Sequence, residues 1–97
     1  MWIAIDEGKT IGEEGSEGGT IIADEAYEGA CRITLEKNSE ALYSITCGVY
    51  GLMVHTAFAL SLDEACTKYE GMKHELSTVI DSECEEIEWC ESFVEKW

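Results

Sequence analysis

The sequence predicts an α+β domain of two layers, in which an antiparallel meander of four to five strands is covered on one face by a long C-terminal helix. Three observations carry this. Residues 61 to 97 repeat apolar side chains every three or four positions with a dense acidic back. Residues 30 to 60 alternate between apolar and polar. Glycine-bearing connections separate the alternating runs. At 97 residues the chain is one domain with one modest core, and 45% hydrophobic content is too high for a disordered tail.

Met1 to Ile5 is a short apolar run that adds a fifth strand. Asp6 and Glu7 follow it and no basic stretch precedes it, which argues against a signal peptide. Residues 6 to 19 hold five glycines and five acids and read as a solvated connector. Glycine-rich loops can cradle phosphate with their amides, but Glu13, Glu14 and Glu17 would repel an anion.

Residues 20 to 60 form the sheet. Thr20 to Tyr27 is its weakest strand. Cys31, Ile33 and Leu35 share one face, with Arg32, Thr34 and Glu36 on the other. Tyr43, Ile45, Cys47 and Val49 then oppose Ser44, Thr46 and Gly48. Leu52, Val54, Thr56, Phe58 and Leu60 fall on one face, with Met53, His55, Ala57 and Ala59 on the other. Glu28-Gly29 and Tyr50-Gly51 read as tight hairpin turns, and Asn38-Ser39-Glu40 as a three-residue connection. That connection pairs Leu35 with Tyr43, Ile33 with Ile45 and Cys31 with Cys47, and the first turn sets Glu25 against Arg32. The inner face is then Ile33, Leu35, Tyr43, Ile45, Cys47, Val54 and Phe58.

Ser61 followed by Glu64 is a capping box, so the helix starts there. Leu62, Cys66, Tyr69, Met72, Leu76 and Ile80 are expected to meet the sheet. An unbroken helix to Trp97 would span about 54 Å, against a radius of gyration near 13 Å expected for a domain this size. Ser82 and Glu85 form a second capping box, which places a break near Asp81. The piece beyond it, with Trp89, Phe93 and Trp97 on one face, docks back on the sheet or pairs with another chain.

The net charge of −15 is uneven: −7 over residues 1 to 30, zero over 31 to 60 and −8 over 61 to 97. Such a surface repels nucleic acid and attracts a basic protein. No run is long enough to span a membrane. Five cysteines without framework spacing read as small buried side chains in a reducing, cytoplasmic setting.

No catalytic constellation stands out, and no cofactor or metal is expected. On the outer sheet face His55 would lie near Ser44 or Thr46, without an orienting carboxylate or oxyanion hole. Strand parity separates Cys47 from His55. His74 stands four residues after Glu70, with no further ligand placed by spacing. Two candidate binding surfaces follow: a polar patch of Arg32, Thr34, Ser44, Thr46 and His55, and the C-terminal acidic run Glu85, Glu86 and Glu88 with Trp89. The first reading is a small non-catalytic protein that holds a basic partner, as an inhibitor or immunity protein would. It resembles that class in size and charge, and no residue pattern carries the likeness. The alternative is a homo-oligomer, dimeric through its C-terminal helix, with a small-molecule or metal site on the outer sheet face.

Overall fold

The fold is the expected one. The structure, a computed structural model, describes residues 1–50, 53–82 and 86–97, with side chains described outside 82–90. Five antiparallel strands run in sequence order: β1 (Trp2–Ala4), β2 (Thr20–Tyr27), β3 (Cys31–Ser39), β4 (Leu42–Val49) and β5 (Met53–Ala59). Helix α1 (Leu62–Ser82) packs across β3, β4 and β5, and α2 (Glu86–Lys96) follows it. Met1 to Ile5 does contribute the fifth strand, through Trp2 to Ala4.

The core forms where the inner face of the sheet meets α1. Ile33, Leu35, Ile45 and Cys47 are buried against Ala65, Tyr69, Met72 and Leu76. Burying a side chain of the leucine or isoleucine kind contributes about 1.5–3 kcal/mol, so this layer dominates stability. The Ser61 hydroxyl accepts the Glu64 N–H at 3.1 Å, so the predicted cap forms. Tyr69, Met72 and Leu76 are buried as expected, with Ala65 and Val79 beside them and Ile80 packed against the core, while Leu62 and Cys66, expected to meet the sheet, are exposed.

All three hairpins differ from expectation in register. The β2–β3 connection is Glu28-Gly29-Ala30, with Glu28 at φ 51° and Gly29 at φ 69°, so Tyr27 pairs with Cys31. Ala26, not Glu25, therefore faces Arg32. At β3–β4 the register is displaced by two residues, which keeps parity but pairs Leu35 with Ile45, Ile33 with Cys47 and Cys31 with Val49. Cys31 and Cys47 are buried but not directly opposed.

At β4–β5, Val49 pairs with Met53. Residues 50 to 52 make the connection, of which 51 and 52 lie outside the described residues. One extra residue flips every β5 side chain to the other face. His55, Ala57 and Ala59 turn inward, while Val54 and Phe58 are 79% and 51% exposed, opposite to expectation. The small Ala57 and Ala59 side chains suit the close approach of α1 to β5.

Helix α1 continues through Asp81 to Ser82, and residues 83–85, which with Ser82 carry the expected second capping box, lie outside the described residues. Helix α2 returns along α1. Phe93 is 2% exposed in the core, and Trp97 Nε1 donates to the Glu75 carboxylate at 3.0 Å. The Trp97 ring lies over Gly71, where an added Cβ would stand 2.8 Å from it. Folding back keeps the longest dimension at 38 Å and the radius of gyration at 12.8 Å.

Candidate ligand groove on the outer sheet face

The glycine-rich segment is more than a connector. Its amides hold an anion, and that anion is the chain's own Glu36. The Glu36 carboxylate is fully buried and accepts the Gly19 N–H at 3.0 Å and the Glu17 N–H at 3.2 Å. A Cβ on Gly15 would stand 2.3 Å from the Glu36 Cδ, so the backbone approaches closely because residue 15 has no side chain. Gly12 N–H to the Ile21 carbonyl and Ile21 N–H to the Glu13 carbonyl tie the segment to β2. The segment thus lies over the outer face of β2 and β3 and leaves that of β4 and β5 open.

Between them runs a groove of about 700 Å³. Thr10, Glu13 and Glu14 form one wall, Arg32, Thr34 and Thr46 line the base, and Tyr50 and Val54 belong to the other wall. Three of the five predicted patch residues, Arg32, Thr34 and Thr46, therefore come together there. Ser44 shares the outer face but is fully buried, its hydroxyl without a hydrogen-bond partner. His55 is on the opposite face, edge-on to Phe93 at 6.2 Å. It is register-paired with Cys47, so parity brings together the two residues it was expected to separate, and Ser44 and Thr46 have no histidine beside them. Cys47 is 1% exposed, which closes this pair to a substrate. Glu85 lies outside the described residues, as do the side chains of Glu86, Glu88 and Trp89.

Asp24 organises the base of the groove. Arg32 grips it with two bonds, Nε to Oδ1 at 2.8 Å and Nη2 to Oδ2 at 2.6 Å, and the Thr34 hydroxyl donates to Oδ1 at 3.1 Å. Burial pushes the Asp24 pKa up, but the Arg32 guanidinium and the Thr34 hydroxyl outweigh it and hold the carboxyl below its ordinary value. The Arg32 charge is therefore spent within the chain, so the groove base does not attract anions. Thr46 and Thr56 share a hydrogen bond of 3.1 Å.

A second carboxylate sits on the inner face. Glu25 accepts from the Tyr69 hydroxyl at 2.6 Å and from Lys73 Nζ at 2.9 Å. Burial raises its pKa, and these two partners override that and lower it, while the Tyr69 hydroxyl is pushed well above its usual range. Tyr27 donates to Asp81 at 2.8 Å, tying β2 to the end of α1.

The rim of the groove is acidic and apolar. Glu13 and Glu14 are exposed, and neither pairs with a cation among the described residues. Val54 lines the other side at 79% exposure, while Phe58 and Leu60, outside the groove, are 51% and 73% exposed. Sequence reasoning missed Asp24 and Val54 on this face because both depend on turn lengths, and it placed Glu36 there without the glycine-rich segment whose amides cover it. Among the described residues no group of three or more His, Cys, Asp or Glu side chains is placed to hold a metal, and no helix is long and apolar enough to cross a membrane. Comparison with protein-family models, with curated proteins and with solved structures finds no match.

Proposed function

We propose that this chain is a non-catalytic binding protein that holds a basic, partly apolar segment of a partner protein in the outer-face groove. One observation supports this above the rest: Glu13 and Glu14, which pair with no cation among the described residues, line the groove together with Val54, which is 79% exposed. Cationic side chains suit the first wall, and apolar ones gain by covering the second at about 25 cal/mol per Å². The net charge of −15 adds long-range attraction for such a segment. The Asp24–Arg32 pair keeps the base close to neutral, which leaves the rim to set the sign.

Calorimetric titration with a synthetic nonapeptide alternating lysine and valine tests the reading. Binding is expected to weaken as salt rises. Replacing Glu13 and Glu14 together by Gln should weaken it about tenfold and flatten the salt dependence, and Val54→Lys should weaken it at every salt concentration. Affinity unchanged in both variants would remove the groove from consideration.

A further inference from the structure

Resting on that reading, we infer that the groove takes one long cationic side chain of the partner, a lysine or an arginine, with its apolar stem laid over Gly48 and its charge beside Glu13 and Glu14. No feature of the backbone requires glycine at residue 48. Among the described residues, Gly8, Gly12, Gly18 and Gly29 have positive φ. At Gly15, Gly19 and Gly71 an added Cβ would stand 2.3 Å, 2.8 Å and 2.8 Å from a neighbouring atom. Gly48 has neither feature. Its Cβ would meet the Met53 carbonyl oxygen at 3.6 Å and Val54 Cγ2 at 3.7 Å, which is ordinary contact. The register runs unbroken through it, with Arg32 paired on one side and Val54 on the other, so no bulge calls for it. Glycine inside a strand weakens the strand and marks a bulge, a bend or the close approach of another group; here the last remains.

The neighbours keep the space above Gly48 open. Asp24, on β2, holds the Arg32 guanidinium on the side of β3 away from β4. No Arg32 atom comes within 4 Å of the position a Cβ would take. Arg32, Gly48, Tyr50 and Val54 all line the groove. Val54 offers the stem an apolar flank, and Tyr50, 60% exposed, offers the charge an aromatic face. Charge selects the occupant. Glu13 and Glu14 line the same groove and pair with no cation among the described residues, whereas Arg32 already has Asp24, so a cation is favoured there over an anion. Lysine and arginine join a cationic head to a flexible apolar stem, the combination that an apolar floor beside an acidic wall accepts.

Calorimetric titration of the full chain with the lysine–valine nonapeptide, paired with thermal unfolding of each variant, tests the assignment. Gly48→Leu fills the floor and should weaken binding about tenfold. Gly48→Ala should weaken it about threefold while raising the thermal midpoint, because alanine fits this backbone and costs less entropy on folding than glycine. If Gly48→Leu lowers the midpoint, Gly48→Ala decides the question. A twin peptide with each lysine shortened to diaminobutyrate keeps the charges, lacks most of the stem and should bind the parent chain about tenfold more weakly. Affinity unchanged in the glycine variants, with the joint Glu13 and Glu14 replacement still weakening it, would overturn the Gly48 site and leave the groove reading intact. A norleucine twin that binds as tightly as the lysine peptide would assign the floor to an apolar side chain and overturn the proposal. No binding of the lysine–valine peptide to the parent chain would overturn both.

Discussion

Asp24 shows how one buried carboxyl controls a whole face. Its side chain is fully enclosed, while that of Arg32 is 43% exposed, so the pair is shielded on one side and wet on the other. Removing the guanidinium strands a buried charge. Arg32→Ala should cost about 3 kcal/mol, the low end of the range for such a loss, because water reaches the Arg32 side. Acid unfolding reads the same residue. The folded pKa values of Asp24 and Glu25 lie below their ordinary 3.8 and 4.5. The unfolded chain therefore binds protons first, and the stability these groups supply is present above about pH 4–5 and lost as pH falls through the folded values. Asp24→Asn cannot show its share of that loss. Urea unfolding between pH 7 and pH 3 should give a shallower decline for this variant than for the parent chain, and parallel declines would show that the Asp24–Arg32 pair supplies no pH-dependent stability.

Elements were far more legible in the sequence than the faces they present. The capping pair Ser61 and Glu64, the three-and-four stripe from Ala65 to Val79 and the alternation in β3 and β4 each report local physics, and each is found where the pattern places it. Turn length is different. The first hairpin holds Glu28 at φ 51°, a conformation few residues besides glycine favour, so nothing in its side chain announces a third connecting residue. In β5 the more apolar set faces solvent, because the register that buries Ala57 and Ala59 lets α1 approach. Hydrophobicity alone would choose the other register, which is why His55 was expected on the wrong face and the Val54–Phe58 ridge was expected inside. The return of α2 onto the body follows from Phe93 and Trp97, whose apolar bulk needs cover. Phe93→Ala should lower unfolding free energy by about 3–5 kcal/mol, while Val94→Ala, at a 43% exposed neighbour, should change it by no more than about 0.5 kcal/mol. Equal effects in denaturant titrations of the two variants would mean that α2 is held by something other than the core contact of Phe93.

At the scale of the molecule, charge outweighs any single contact. Six Lys and Arg face 21 Asp and Glu, so 15 acids stay unneutralised even if every base takes one partner. This imbalance was plain in the sequence, and so was a preference for cationic partners. The place where it meets apolar surface was not, since that needed the glycine-rich segment laid over β2 and β3 by Glu36. A compact body of 12.8 Å radius of gyration crowds this charge, and self-repulsion opposes folding. Salt should relieve it. Between about 0.01 M and 1 M ionic strength the screening length falls from about 30 Å to about 3 Å, shorter than most separations between acids on this surface. Buried contacts such as Asp24 with Arg32 are screened much less than exposed charges. Thermal unfolding should therefore shift upward as sodium chloride is raised, by about 4–8 °C for each kcal/mol of repulsion removed in a domain of this size. A midpoint that falls with salt would show that attractive ion pairs, Glu25 with Lys73 and Glu75 with Lys96 among them, outweigh the repulsion of the excess acids.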